Sequence, residues 1–437
     1  MIAAPSPALS LDEAVRRLAS VGPSVWARSP QPGSGRVINF LGAQPTAIET
    51  GEDLARLTEA WSRARAAWGD GAVAGVPVAF GYLSYDLGAR LVKGRYAPQE
   101  PSGWPGFSFR FFDAVLALPD DGPGTLFAVD AAAADRLLAA LATPAGMVPA
   151  SLRGPLRGRW PEASHLAGIA RVKAYLAAGD TYQVNLAREL EAPLAEAGTT
   201  TGLALALALF EQAPAPFAFW WSPDEQGRGL VGNSPERFLH VSPQGTVMTC
   251  PIKGTRRRTA GLAASADPAA RELTRSEKDR AEHDMIVDLE RNDLGRVCQT
   301  GSVRVVQHAE LLHLPTVHHL VSTVEGQLRA PAAESFEDLL GATFPGGSIT
   351  GAPKRRAMEI ISELEPRARG PYTGATGWLG AAGDLDLAIA IRTALVEQDV
   401  LRLWVGGGIV MDSEPAAELA ETAIKAQAFA SLWQPSA

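Results

Sequence analysis

Gly374-Ala-Thr-Gly-Trp-Leu-Gly-Ala381, Leu387-Ala-Ile-Ala-Ile-Arg-Thr-Ala-Leu-Val396 and Val400-Leu-Arg-Leu-Trp-Val-Gly-Gly-Gly-Ile-Val410 follow one another as three strand-like runs with no helical pattern between them. Residues 181–190, 229–241, 246–252 and 316–324 also read as strands. Helical patterns fall at residues 164–178, where Leu166, Ile169, Val172 and Leu176 share related faces before Gly179, and at residues 267–292, 353–364 and 413–432. Strands and helices come in clusters and not in strict alternation. The fold class expected from this is α+β with largely antiparallel sheets.

Towards the N-terminus, Pro, Gly and Ser mark turns or loops at residues 29–35, 98–106 and 120–124. Residues 76–85 and 107–118 read as strands, with Pro77 near the start of the first, and residues 129–141 as an alanine-rich helix. Residues 142–160 read as a connection, dividing an N-terminal region, 1–155, from a second region, 156–437.

Composition narrows the class. Apolar residues make up 46% of 437, enough for a sizeable core. The net charge is −8, with acids and bases interspersed and no basic stripe, which argues against nucleic acid as a partner. Cys250 and Cys298 give neither a disulfide framework nor metal-ligand spacing, as suits a reducing compartment. The first thirty residues lack a signal-peptide pattern, and the apolar run at residues 203–210 is too short to span a bilayer. A soluble, cytoplasmic protein is expected.

Most of the basic residues are arginine, so each lysine stands out as a group able to work deprotonated. In Pro251-Ile-Lys-Gly-Thr-Arg-Arg-Arg258, neighbouring cations and burial would lower the Lys253 pKa and expose a nucleophilic amine; taken alone, it reads as a surface lysine. Glu236, in the turn Asn233-Ser-Pro-Glu-Arg-Phe238, is either a buried proton donor or half of an ion pair. Asp279 and Glu282 share one helix face, and Glu418 and Glu421 repeat the spacing on another. Two such pairs could converge on a hard cation, although spacing alone reads as two solvated faces. Phe344-Pro-Gly-Gly-Ser-Ile-Thr-Gly-Ala-Pro-Lys354 is a glycine-rich turn entering a helix, with free N–H groups that favour an anion, but it is not a Walker A loop. Gly406, Gly407 and Gly408 allow a similar close approach, or simply form a tight turn. His318 and His319 point to opposite strand faces; one could be catalytic and the other exposed, or either a satisfied core histidine. Tyr372 and Arg392 could bind a carboxylate.

In order, Thr181-Tyr-Gln-Val-Asn-Leu186, Ser234-Pro-Glu-Arg-Phe238, Pro251-Ile-Lys-Gly-Thr255, Ala281-Glu-His283, Asp288-Leu-Glu-Arg-Asn-Asp293, residues 344–354, Tyr372-Thr-Gly-Ala-Thr-Gly377, Ile391-Arg-Thr393 and Gly406-Gly-Gly-Ile-Val410 resemble the chorismate-binding enzymes. These include the large components of anthranilate and aminodeoxychorismate synthases, and the isochorismate and salicylate synthases. The resemblance implies a four-layer α/β/β/α sandwich with two orthogonally packed sheets, and makes residues 156–437 the chorismate-binding catalytic region. It also implies Mg²⁺ on Glu282 and Glu421, with Asp279 and Glu418 behind them. Arg392, Tyr372 and the backbone of Gly406, Gly407 and Gly408 would hold the enolpyruvyl group. Ser348 and His319 would line the ring, Lys425 would join the substrate contacts, and Glu236 would protonate the departing 4-hydroxyl. Gln183 stands where the water-adding members carry a lysine base. Lys253 stands where anthranilate synthases carry alanine, and resembles the aminodeoxychorismate branch, in which the lysine attacks C2 and ammonia then adds at C4. No glutaminase cysteine motif is visible, so the resemblance implies ammonia from a glutamine amidotransferase subunit. The absence of a Leu-Leu-Glu-Ser segment, and the form of Gln212-Ala-Pro-Ala-Pro-Phe217, imply weak or no tryptophan feedback. An anthranilate synthase large component and a non-catalytic chorismate-binding subunit are the alternatives.

Overall fold

The structure is a computed structural model that describes residues 1–69, 71–146, 152–194, 199–259, 262–263, 266–313 and 317–433. Among them, two antiparallel sheets form, of twelve and ten strands. The larger runs from Ile2–Pro5 through Ser24–Pro30, Phe217–Trp221, Arg228–Ser234, Thr393–Glu397 and Val400–Ile409 to Gln183–Pro193 and the short Gly351–Ala352. The smaller runs from Ile252–Arg257 through Val317–Gln327, Arg237–Val241, Leu385–Ile389, Ala375–Gly380 and Pro77–Leu83 to Ala47–Gly51.

Three apolar clusters separate four layers. One lies between the larger sheet and the helices Leu11–Ser20, Ala131–Ala142, Thr199–Gln212 and Pro415–Ala430. A second lies between the smaller sheet and the helices Leu54–Trp68, Glu277–Gly295 and Phe336–Thr343. The third, with Phe40, Phe80, Trp378 and Trp404, fills the space between the sheets. Strand Val400–Ile409 shows how alternation builds these layers: Leu401, Leu403 and Val405 face the helices, while Trp404 faces the other sheet. The expected α/β/β/α sandwich is the fold found.

Three runs read as single strands are each two strands in different sheets. Residues 107–118 divide into Phe107–Phe111 and Ala114–Pro119; residues 229–241 into Arg228–Ser234 and Arg237–Val241; residues 387–396 into Leu385–Ile389 and Thr393–Glu397. Nearly every residue on either side of these corners is buried, so the apolar pattern runs on unbroken while the backbone turns. Such sheet-switching corners belong to orthogonal packing. Pro251 also splits residues 246–252, and Ser276 divides the expected long helix into Pro268–Arg275 and Glu277–Gly295. The Ser276 hydroxyl accepts the Asp279 N–H at 3.2 Å and caps the second helix.

Residues 1–155 and 156–437 share both sheets: Ser24–Pro30 pairs with Phe217–Trp221, and Pro77–Leu83 with Ala375–Gly380. Among the described residues, no helix is long and apolar enough to cross a membrane.

Beside two of the corners, Arg237 Nε donates to Asp386 Oδ1 at 2.8 Å, with both side chains buried, and the Ser29 hydroxyl donates to Asp386 at 2.5 Å. Removing one partner leaves the other charge uncompensated. Asp386→Ala is expected to lower the unfolding free energy by about 3–5 kcal/mol in urea titrations; a loss below about 1 kcal/mol would show that the pair does not brace the corner.

Candidate functional site

Two corners meet to form the floor of the site. The Ile389 N–H donates to the Glu236 carbonyl at 3.0 Å and the Asn233 N–H to the Arg392 carbonyl at 2.9 Å, which joins the Pro235-Glu236 corner to the Ile391-Arg392 corner. Arg392 holds a left-handed φ of 48°. Glu236 is only 5% exposed. Burial pushes its carboxyl above the ordinary range, against hydrogen bonding from Ser348, the Lys253 charge, the Ile252 N–H and the Arg392 charge.

Lys253 enters from the edge strand Ile252–Arg257. Gly254, with φ at 72°, sits where the register shifts between Lys253 and Thr255, a local bulge that re-aims the flanking side chains. The lysine is half-buried, and its Nζ donates to the Ser348 carbonyl at 2.9 Å, so it is not a surface lysine. Burial lowers its proton affinity; Glu236, Glu282 and Glu421 oppose this and Lys425 adds to it. Ser348 lies in the short turn Gly347–Ile349. The Gly347 N–H in that turn donates to Glu290 Oε1 at 3.0 Å, so the acceptor at this amide is a carboxyl group of the chain itself. Lys354, at the end of the same segment, grips Asp293 at 2.6 Å and the Thr343 carbonyl at 2.9 Å.

On the neighbouring sheet edge, Asn185 pairs with Gly408 and Leu186 with Gly407. The Gln183 side chain is fully buried, and neither of its amide atoms has a partner among the described residues. A Cβ on Gly408 would lie 2.4 Å from its Nε2. His319 Nδ1 lies 2.9 Å from the Thr255 hydroxyl and 3.3 Å from the Gly254 carbonyl. A carbonyl can only accept, which puts the proton on Nδ1 and leaves the buried Nε2 as an acceptor with no partner among the described residues. Burial, then Arg392, push this ring down to about 4, so it is neutral at pH 7. His318 is not exposed: it is buried on the other face, 3.0 Å from Asp267 and 2.8 Å from His313. Tyr372 lies in the inter-sheet core, stacked on Trp404 with centroids 5.9 Å apart.

The carboxylates come from two helices, Glu277–Gly295 and Pro415–Ala430. Glu421 pairs with Lys425 at 2.7 Å, and Lys425 also donates to the Gly406 carbonyl at 2.7 Å. Glu418 accepts from the Ser413 hydroxyl at 2.6 Å, and Asp279 pairs with Arg256 at 2.9 Å. A Cβ on Gly407 would lie 3.2 Å from Glu418 and 3.8 Å from Glu421. Burial raises the Glu282 carboxyl against the charges of Lys253 and Lys278, while Asp279 and Glu418 raise it further, so acids from both helices share one field. Among the described residues, no three His, Cys, Asp or Glu side chains converge closely enough to hold an ion by themselves. Glu282 and Glu421 suit a hard cation such as Mg²⁺, which takes one or two carboxylates and fills its shell with water and ligand oxygens.

Sequence reasoning missed Arg369 and Glu290. Arg369, 1% exposed, donates to Glu365, the Ile349 carbonyl, the Thr373 hydroxyl and the Asn185 carbonyl. Helical spacing could have exposed Glu290, an acid on the same buried stripe as His283, Ile286, Val287 and Leu294.

The chain and its four-layer sandwich have counterparts among known proteins. Residues 22–431 match the family described as chorismate binding enzyme, and the chain belongs to that family. It is 43% identical over 304 residues to anthranilate synthase component 1 of Arthrobacter globiformis, covering 67% of this chain and 55% of that protein. It is 47% identical over 256 residues to aminodeoxychorismate synthase component 1 of Klebsiella aerogenes, covering 58% of this chain and 54% of that protein. The chain thus spans little more than half the length of these two curated relatives. Among solved structures, anthranilate synthase component I of Streptococcus pneumoniae superposes with a TM-score of 0.76 at 28% identity, covering 92% of this chain and 93% of that one. The menaquinone-specific isochorismate synthase of Escherichia coli shares the fold, with a TM-score of 0.78 at 19% identity, covering 99% of this chain and 94% of that one.

The His319 ring sits well below the ordinary histidine value of about 6.5, so the folded state favours the neutral form. Its contribution to stability is whole above pH 6.5 and is lost as pH falls from there towards 4, a decline of about 3 kcal/mol at most. NMR titration is expected to show the His319 ring still neutral at pH 5.5, and His319→Asn to flatten the fall in urea midpoint between pH 6.5 and 4.5. A ring that titrates near 6.5 would contradict this.

Proposed function

We propose that the protein is a cytoplasmic enzyme that aminates chorismate at C4, giving 4-amino-4-deoxychorismate for p-aminobenzoate and folate synthesis. The observation that carries this reading is the Lys253 amine, half-buried and desolvated, and electrostatically coupled to the Glu236 carboxyl. An amine whose proton is loosened by desolvation is a competent nucleophile. Neutral Lys253 Nζ bonds to ring carbon C2, both ring double bonds shift (C1=C2 to C1=C6 and C5=C6 to C4=C5), and the C4–O bond breaks. The hydroxyl leaves as water with a proton from Glu236. Ammonia then bonds to C4, both double bonds shift back, and the C2–N bond breaks to release Lys253. The new ammonium returns one proton to the Glu236 carboxylate, and no pyruvate departs.

The remaining residues bind and orient. Arg392, with Tyr372 and the backbone at Gly406, Gly407 and Gly408, holds the enolpyruvyl group; Ser348, His319 and Lys425 border the ring. Gln183, an amide, cannot take a proton from water, which disfavours hydroxylation. Glu282 and Glu421 hold Mg²⁺, with Asp279 and Glu418 behind them; when bound, the ion supplies positive charge to the ring carboxylate. Ammonia comes from a glutamine amidotransferase subunit in a heterodimer. The second reading, anthranilate synthase, is favoured by the 43% identity to the Arthrobacter protein and gives Lys253 no covalent role.

With chorismate, Mg²⁺ and ammonium at alkaline pH, a non-fluorescent aminated product without pyruvate is expected; fluorescent anthranilate with pyruvate would overturn the reading. Lys253→Ala is expected to slow amination on the order of 10³-fold or more with chorismate affinity little changed, and unchanged turnover would remove the covalent step. Glu421→Gln is expected to raise the Mg²⁺ needed for half-maximal rate by about tenfold or more; an unaltered magnesium titration would place the ion elsewhere.

A further inference from the structure

The turn Gly347–Ile349 is gripped on one side and used on the other. Above it, the Ser348 carbonyl receives the Lys253 amine at 2.9 Å, and the Ser348 side chain is near enough to Glu236 to hold its carboxyl pKa down. Below it, Glu290 Oε1 accepts the Gly347 N–H at 3.0 Å. Glu290 is 2% exposed, and its second oxygen is buried without a partner among the described residues. The fit leaves no slack: a Cβ on Gly347 would lie 2.5 Å from Leu289 Cδ2 and 3.1 Å from Glu290 Oε1. The Thr350 hydroxyl closes the turn on the Gly346 carbonyl at 2.9 Å.

We infer that Glu290 is a positioning residue for the amination: by holding the Gly347 amide, it fixes the Ser348 groups that aim Lys253 and face Glu236. The inference rests on the functional reading above. Glu290 touches no reacting atom and works through the backbone of the turn. It also contributes a charge. Burial, then Asp293, push its carboxyl up to about 8, Lys354 and the Gly347 N–H oppose this, and Glu236 adds to it. Below pH 8 Glu290 is therefore mainly neutral. Above pH 8 it becomes an anion facing Asp293, Lys354 and Glu236, and its charge favours the protonated form of Glu236.

Two variants of the full chain separate geometry from charge. Glu290→Gln keeps an acceptor for Gly347 but cannot ionise. Glu290→Ala removes the acceptor and leaves a buried N–H unsatisfied. With chorismate, Mg²⁺ and ammonium, Glu290→Ala is expected to lose kcat on the order of 10²-fold with chorismate KM little changed, the signature of displaced catalytic groups. Glu290→Gln is expected to keep kcat at pH 7 within about twofold and to lack the inflection near pH 8 of the wild-type profile. A Glu290→Ala enzyme with wild-type kcat, or a Glu290→Gln profile that retains the inflection, would overturn the inference. If Glu290→Ala does not fold, Glu290→Asp, whose shorter side chain withdraws the carboxyl from the Gly347 amide, takes its place: a like loss of kcat is expected, and a wild-type kcat would overturn the inference. A wild type that forms no aminated product defeats the functional reading; a wild type that does, beside an unaffected Glu290→Ala, defeats only the role of Glu290.

Discussion

The site depends on one buried guanidinium. Arg369 Nε and one Nη2 proton go to Glu365 at 2.8 and 2.6 Å, the other Nη2 proton to the Asn185 carbonyl at 2.6 Å, and the Nη1 protons to the Ile349 carbonyl and the Thr373 hydroxyl, each at 3.1 Å. That satisfies all of its N–H donors. Glu365 in turn accepts the Ala187 N–H at 2.8 Å. One ion pair thereby ties the strand carrying Gln183, the turn carrying Ser348 and the segment leading into strand Ala375–Gly380. Tyr85 and Tyr372 cover the cation at 4.7 and 5.6 Å. Such a pair gains little over well-packed apolar residues, because desolvation offsets its attraction. What it contributes is a fixed relation between three pieces of backbone that no single ladder could join.

Corners explain where the chemistry sits. A strand in mid-sheet spends its backbone groups on its neighbours, and its side chains face a packed layer. Where the chain leaves one sheet for the other, the ladder lapses, and side chains can face the gap between layers. Glu236 and Arg392 both stand at such points, and the left-handed Arg392 is tolerated because the Asn233 N–H and the surrounding strands hold its backbone. The third corner, at Phe112-Asp113, carries no residue of the site: the Phe112 ring lies in the inter-sheet core and the Trp68 indole N–H donates to the Phe112 carbonyl.

Much of this was legible in the sequence, and the rest was hidden for physical reasons. Clustered strands announced antiparallel sheets. The ordered motifs announced the family, and with it the four layers. Pro235 marked a turn at Glu236, but the corner at Ala390-Ile391-Arg392 was not visible, because it lies between the apolar stretches Leu387-Ala388-Ile389 and Ala394-Leu395-Val396 and carries neither glycine nor proline. The segments of the site were visible but their meeting was not, since residues 236, 253, 348 and 392 are joined only by tertiary contacts. The glycine-rich turn suggests an anion site in the sequence, whereas in the fold a buried glutamate, raised towards its neutral form, already holds one of its amides. Acids are ordinarily solvated, and that habit concealed Glu290 on the apolar stripe of its helix.

The interlacing of early and late strands has a bearing on synthesis. One edge of Pro77–Leu83 pairs with the nearby Phe107–Phe111, but the other finds its partner in Ala375–Gly380, roughly 290 residues later, a wait of about 15–60 s at ribosomal speed. Until then an apolar strand edge has no native neighbour, and chaperones would have time and cause to shield it. The closing of the smaller sheet is therefore a late event on the ribosome, and the nascent chain spends most of its elongation without the architecture that its own first half demands.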